Sequence, residues 1–309
     1  MRSRLTAALA ALAIIALGAF VAGCGDDNND NGGTKASSEL TATPGLDDIQ
    51  ANQQIAGSVP ADIKSNGTLI VAADATYPPD EYIAPDGKTV IGMDADMAKA
   101  IAQLMGLKVE VQNVTFDAII PGLAAGKYDL GMSSFTDTKE REATVDFVDY
   151  LTAGTAIYAN ADGDFKPDSL DALCGHMVAA ERGTTQQDDI ATQDKKCKAE
   201  GKPGVTGVIL PDQNQVNLAV SSGRAEAGLA DSPVVDNIVA TSEGQFETTG
   251  GPFPPEPYGI AIPQDSGLTQ PVHDAVQTLM ADGTYQKILE YWGLEAGAID
   301  NPTINGAVS

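Results

Sequence analysis

The chain has 309 residues, with 43 aspartates and glutamates against 18 lysines and arginines, and a formal net charge of −25 at pH 7. That surplus of acid leaves no basic patch for nucleic acid or anionic lipid and excludes functions that need one. Hydrophobic residues make up 43% of the chain, enough for one large or two medium α/β lobes.

Arg2 and Arg4 precede an apolar run over residues 5–21, which closes on Val21-Ala22-Gly23-Cys24. A basic start, a short apolar stretch and small residues before a cut predict a secretory signal over residues 1–23, not a spanning helix. The cysteine directly after the small residues resembles the lipobox of bacterial lipoproteins. That resemblance implies that Cys24 carries palmitate-type acylation and becomes the mature N-terminus; a plain signal peptide with an incidental cysteine is the alternative. Attachment to the cell membrane, on its extracytoplasmic side, would then rest on lipid alone, because the surface charge opposes it. Residues 24–60 read as the lipidated cysteine and a flexible tether, since 25–43 hold almost nothing apolar to bury. A helix is predicted around 59–64, and the folded body is expected to begin over residues 61–68.

Beyond Cys24 only Cys174 and Cys197 remain. An exported chain meets oxidising conditions, so the two are expected to pair, two separate buried thiols being the alternative. His176 and His273 have no cysteine or histidine at ligand spacing, so neither a metal nor a cofactor is expected.

From Thr68 the pattern is strand then helix, repeated. Residues 69–73 form a continuous apolar run, as in a strand covered on both faces, and Asp74 stands at its C-terminal end. Ligands in open α/β sheets sit beyond such ends, which places Asp74, Tyr77 and the Pro78-Pro79 turn at a site mouth. A helix is predicted over 94–106, a strand over 108–114, a helix over 116–125 and a strand over 129–132. Phe116 opens its helix at the same sheet end. After an apolar connecting strand at 152–160 the rhythm resumes: strand 176–180, the turn Glu181 to Thr185, helix 186–199, strand 207–210, helix 214–222, strand 225–230. Asp231, like Asp74, ends a strand. A strand at 258–262 and helices over 268–281 and 284–291 complete the body, and the residues from 296 onward read as a fraying tail.

The stretch GMSSFTDTKEREATVDF, residues 131–147, is the centre of the chain. It joins a strand end to a hydroxyl cluster (Ser133, Ser134, Thr136) and then to a short helix opened by Asp137 or Thr138, with Arg141 one turn in. Hydroxyls and free backbone N–H groups beside a guanidinium make a receptor for a small carboxylate or phosphate; an ordinary capping box of Asp137 and Glu140 is the plain alternative. The Gly183-Thr184-Thr185 turn is a second anion-binding geometry.

In order along the chain, DATYPP, IGMDADMAKAIA, FDAIIPGLAAGKYDL, SSFTDTKEREATVDF, RGTT and SGRAEAGLADSP resemble the solute-binding proteins of ABC amino-acid importers, extracellular solute-binding family 3, over residues 68–294. The resemblance implies a two-lobed α/β clam-shell of the type II periplasmic-binding-protein class with its ligand cleft between the lobes. One lobe would be discontinuous (61–155 and 257–295), the other would span 156–256, and 296–309 would be tail. Crossovers near 152–160 and 253–262 would be the hinge. A monomer would capture a free amino acid and deliver it to an ABC permease and, through it, to ATPase subunits. Arg141 would hold the ligand α-carboxylate, helped by Thr136 and by the turn at Gly183 to Thr185. Asp231 would accept from the α-ammonium, assisted by Ser134, and Asp74, Tyr77 and Phe116 would line the side-chain pocket. Ser133 and Glu181 complete the expected ligand set.

Two positions depart from the family pattern: Asp80 stands where Phe usually follows the two prolines, and Lys139 where a Pro commonly precedes Glu-Arg. With Asp74 and Glu181, an acid at position 80 favours a cationic or amide side chain, unless Asp80 faces water. An enzyme on the same fold, such as a cyclohexadienyl dehydratase, is the alternative, with Asp74, Asp80 or Glu181 as acid or base. No nucleophile-base pair is evident, so no catalytic residue is assigned and the chain is expected not to be an enzyme. An amino-acid sensor module is a third reading, disfavoured by the lack of a second domain.

Overall fold

The computed structural model describes residues 41–309; the predicted signal segment, Cys24 and the first part of the predicted tether lie outside the described residues. A 3-10 turn, Leu46–Asp48, leads to α1 (Gln53–Ser58), α2 (Ala61–Asn66) and β1 (Thr68–Ala73). Three short strands follow, β2 (Thr76–Tyr77), β3 (Glu81–Ile83) and β4 (Val90–Ile91), then α3 (Met93–Leu104), β5 (Lys108–Asn113), α4 (Phe116–Ala124), β6 (Leu130–Gly131) and α5 (Lys139–Glu142). The chain continues through β7 (Val145–Ala153), β8 (Thr155–Asn160), β9 (Met177–Glu181), α6 (Thr185–Ala199), β10 (Thr206–Leu210), α7 (Gln213–Ser221), β11 (Ala227–Asp231) and α8 (Ser232–Thr241). It closes with β12 (Phe246–Gly250), β13 (Glu256–Pro263), α9 (Thr269–Asp282), α10 (Thr284–Trp292) and β14 (Thr303–Ile304).

Two sheets organise the two lobes. The first runs β14-β7-β13-β6-β1-β5 and the second β10-β9-β11-β8-β12, with β2-β3-β4 as a small separate ribbon. In each, parallel strands carry the βα units: β1 pairs in parallel with β5 and β6, and β9 with β10 and β11. Apolar residues recur at helical spacing to cover the faces; in α3, Met97, Ile101 and Leu104 are buried together against α9 and α10. Gly92 is required where α3 begins: its φ is 129°, and a Cβ there would lie 2.2 Å from the Asp80 carbonyl oxygen. The chain passes between the sheets twice, from β7 to β8 at Gly154 and from β12 to β13.

The ordered body begins earlier than predicted. Leu46, Ile55 and Val59 are buried in the core of the first lobe, and Thr43 N–H donates to Asp96 Oδ2 at 2.6 Å. The predicted tether is therefore folded from about residue 43, a few well-spaced apolar residues sufficing because α3 and α9 already supply the other wall. The predicted fraying tail is likewise structured. β14 pairs with β7, the Asn305 side-chain oxygen accepts from Phe147 N–H at 2.7 Å, and Ser309 O accepts from Lys139 N–H at 3.0 Å. These residues cover a sheet edge that would otherwise present unpaired backbone groups.

Cys174 and Cys197 are bonded, with Cα atoms 5.7 Å apart and a sequence separation of 23. The bond ties the turn before β9 to the last turns of α6. Replacing both cysteines by alanine is expected to lower the unfolding free energy by about 3 kcal/mol, the loop-closure entropy for a loop of this size. Denaturant melts of the two proteins check it; an unchanged midpoint would show that the bond adds nothing to the packing of Leu173 and Ile190 around it.

Candidate functional site

α5 is a single turn, and its cap is Thr138, whose hydroxyl accepts from Arg141 N–H at 3.2 Å. That cap fixes the start of the Arg141 side chain, and the far end is fixed twice over. Nη1 donates to the Thr136 carbonyl at 2.7 Å and Nη2 to the Gly183 carbonyl, across the cleft, at 2.9 Å. The guanidinium also lies 5.4 Å and 5.5 Å from the ring centres of Phe116 and Phe135, which stack on each other at 4.5 Å. No carboxylate among the described residues forms an ion pair with it, so its positive charge is held in place by carbonyls and rings. Burial pulls its pKa down, and Asp231 is foremost among the acids that counter this; a guanidinium stays charged regardless.

Carboxylates converge on the same space from strand ends. Asp74 follows β1 and accepts from the Thr76 hydroxyl at 2.7 Å and from Phe116 N–H at 3.0 Å. Asp231 ends β11 and is clamped by the Tyr77 hydroxyl at 2.9 Å and Gln186 Nε2 at 2.9 Å, while Tyr77 also accepts from Asp231 N–H. Burial, partly offset by those hydrogen bonds, raises Asp231 to about 6. Glu181 ends β9 and lies against Asp74; burial, then Asp74's charge, push it up to about 10. Glu81 accepts from the Ser133 hydroxyl at 2.8 Å, and burial next to Asp94 and Asp80 holds its carboxyl well above the usual range. Ser134, at φ 50°, turns its N–H to Asp94 and its hydroxyl to Asp80.

All of the predicted site residues except Gly183 line one cavity. Asp74, Tyr77, Phe116, Ser133, Ser134, Thr136 and Arg141 come from the first lobe, and Glu181, Thr185 and Asp231 from the second. Gly183 lies just outside: its carbonyl serves Arg141, and its N–H donates to Gln187 Oε1 at 3.0 Å. Asp80 neither faces water nor lines the cavity; it is fully buried behind Ser134. Thr184, part of the predicted Gly183 to Thr185 turn, is also on the wall, whereas sequence reasoning missed Glu81 and Gln186. Gln186, one residue inside α6 after the glycine turn, was the one with a signal, since a side chain in a first helical turn points toward whatever the turn binds. Among the described residues no helix is long and apolar enough to cross a membrane, and no cluster of metal-ligating side chains is present.

Comparison with known proteins gives a consistent picture. An arginine-binding protein of Corynebacterium glutamicum, ArgT, is 34% identical over 97% of this chain and 95% of its own. The glutamine-binding ABC transporter protein GlnH of Bacillus subtilis is 28% identical over 91% and 95%. Among solved structures, the amino-acid ABC transporter substrate-binding protein AbpA of Streptococcus pneumoniae, bound to L-arginine, superposes with a TM-score of 0.69 at 26% identity, covering 76% of this chain and 99% of that one. The sequence model described as bacterial extracellular solute-binding proteins, family 3, matches residues 69–295. Two lobes closing on one polar cavity, and a match that spans both, place this chain in the family 3 extracellular solute-binding proteins.

Proposed function

We propose that the protein is the substrate-binding subunit of an ABC-type amino-acid importer, that it captures a cationic amino acid outside the membrane, and that it hands it to a permease served by ATPase subunits. The observation that carries the cationic class is an excess of carboxyl groups: Arg141 shares its cavity with Asp74, Glu81, Glu181 and Asp231. A zwitterion uses one fixed cation and one fixed anion. Arg141 would take the α-carboxylate as a bidentate partner, with Thr136 and Thr185 beside it, and Asp231 the α-ammonium. The remaining acids then face the side chain, with Tyr77 and Phe116 supplying apolar area, which suits a guanidinium or ammonium better than an apolar group. Most of these groups come from opposite lobes, so closure completes the site. The arginine-binding relatives support the same class, and the glutamine-binding relative makes an amide the runner-up.

In this reading the protein acts as a monomer, held to the membrane by lipid on Cys24 and with residues 296–309 belonging to the first lobe. On the same reading it consumes nothing, in line with relatives named as binding proteins. The test is a thermal-shift and calorimetric screen of residues 41–309 against the common amino acids and ornithine. A ligand at 100 times its dissociation constant should add about 2.7 kcal/mol of stability. Arginine, lysine or ornithine is expected to give the largest shift. A screen in which only neutral apolar amino acids act would sink the cationic assignment, and one in which none acts would sink the amino-acid reading.

A further inference from the structure

We infer that Asp74 and Glu181 share one proton across the cleft and that a cationic ligand side chain binds by displacing it, so that external pH sets the discrimination between cationic and neutral amino acids. The inference rests on the amino-acid-binding reading above and assigns the pair a role within it.

The two carboxyls approach from different lobes, Asp74 from the end of β1 and Glu181 from the end of β9. Each is only 3% exposed, both line the same cavity, and each carboxyl is among the close acidic neighbours that set the other's environment. Both oxygens of Asp74 have further donors, Thr76 and Phe116. Glu181 is different, for its Oε1 is buried with no hydrogen-bond partner. An orphaned acceptor on a cavity wall is an incomplete site, and what completes it is a donor.

Among the described residues no basic side chain forms an ion pair with either carboxyl; Arg141, on the same cavity wall, is engaged by the Thr136 and Gly183 carbonyls. The charged and titratable groups that face it are Asp117 of α4, Asp212 at the cap of α7 and the buried Tyr77 phenol. Arg182, the neighbouring residue, points instead to Asp117 at 3.6 Å. Two buried carboxyls on one cavity wall with no cation paired to either do not both ionise readily, so one proton stays with the pair. Burial and the Asp74 charge raise Glu181 to about 10, so that proton is held through the neutral range.

A guanidinium or ammonium inserted at the pair brings both the missing donor for Oε1 and a positive charge, and the proton leaves to solvent. One cation enters and one proton is released, so charge balances. The affinity for a cationic ligand then rises with pH by up to about tenfold per unit, because each unit makes the displaced proton easier to lose. A neutral ligand of the same shape leaves the proton in place, where it serves as a donor, and its affinity does not follow pH in this way. Asp231, raised to about 6, adds a pH dependence through the ligand ammonium. That contribution is common to both ligands and cancels in their ratio.

The test is calorimetry of residues 41–309 with arginine and with citrulline, its neutral isostere, between about pH 6.5 and 8.5 in buffers of different ionisation enthalpy. Expected are release of close to one proton per arginine bound, none for citrulline, and an arginine-to-citrulline affinity ratio that climbs about tenfold per pH unit. Glu181→Gln should abolish the release and flatten the ratio, and Asp74→Asn, which removes one of the causes that hold the proton on Glu181, should diminish both. An arginine enthalpy that is the same in every buffer, or undiminished proton release in both variants, overturns the inference while leaving amino-acid binding intact. Failure of a cooperatively melting protein to bind either ligand overturns both together.

Discussion

The Arg141→Ala protein is expected to bind amino acids at least about 100-fold more weakly than the native protein, whichever amino acid proves to be the ligand. Truncating one member of a desolvated, hydrogen-bonded charge pair costs about 2–5 kcal/mol, and each 1.4 kcal/mol is about a factor of ten in affinity. The upper part of that range applies because Arg141 is, among the described residues, the only cation on the cavity wall and is pre-positioned by the Thr136 and Gly183 carbonyls and two stacked rings. Arg141→Lys keeps the charge and loses the planar fork, so it should recover only part of the loss. Calorimetry on all three proteins decides it. Native-like affinity in Arg141→Ala would mean that the carboxylate is read elsewhere, with the turn opening α6 the next place to look.

The second large effect concerns stability, which should fall as pH rises from 5 to 8. Buried carboxyls with raised pKa values are numerous: burial, followed by a neighbouring acid, lifts Asp80, Glu81, Glu181 and Asp137, the last to about 7, and burial lifts Asp231 to about 6. A group raised in this way is protonated in the folded state and ionised in the unfolded one over the interval between its two pKa values. Unfolding therefore releases protons, and raising the pH favours it. For Asp137 the interval runs from its ordinary 3.8 to about 7. The stabilisation is complete below that interval and is lost through it, at up to about 1.4 kcal/mol per pH unit. Easing of the −25 net charge toward acid acts in the same direction. Scanning calorimetry from pH 5 to 8 should show a falling melting temperature, and Asp137→Asn should shallow the slope below pH 7. A melting temperature that rises over this range would mean that these acids are ionised and paired in the folded protein.

How far the sequence discloses the molecule depends on how local each signal is. The βα units were readable because burial on both faces makes β1 and β11 continuous apolar runs, and because Gly106, Gly126 and Gly293, all at positive φ, stop helices. Asp74 and Asp231 were readable for the same reason, as the first polar residues past such runs. β7 was not read as a strand: Asp149 sits in its middle, and what allows that is a hydroxyl from Thr303, 154 residues away. The tail was misjudged for the reciprocal reason, since its partners Phe147 and Asp149 lie far back in the chain. α8 and β12 went unassigned, as did the short β2 to β4 ribbon, whose two or three residues per strand carry no period to detect. Glu81 joins the cavity through a tertiary partner, Ser133, which no local pattern encodes; Gln186 had a local signal in its place after the glycine turn, but its partner Asp231 is distant in the chain. Asp80 shows the limit of reasoning from a departure: an unusual acid next to a site turned out to be buried behind it.

The passage of the chain between the sheets at two places has a mechanical consequence. The links are bound side by side, Phe253 N–H to the Thr155 carbonyl at 2.9 Å, and a Cβ on Gly154 would come within 2.1 Å of Phe253 O. A single tether would leave one lobe free to twist, tilt and swing on the other. Paired strands in contact resist twist and shear and leave one easy degree of freedom, rotation about an axis through both crossings. Opening and closing are therefore expected to follow a single coordinate, so one dye pair spanning the lobes should report the whole motion, with one relaxation rate at each ligand concentration. Gly154→Ala, which wedges the links apart, should shift that coordinate without altering any group on the cavity wall.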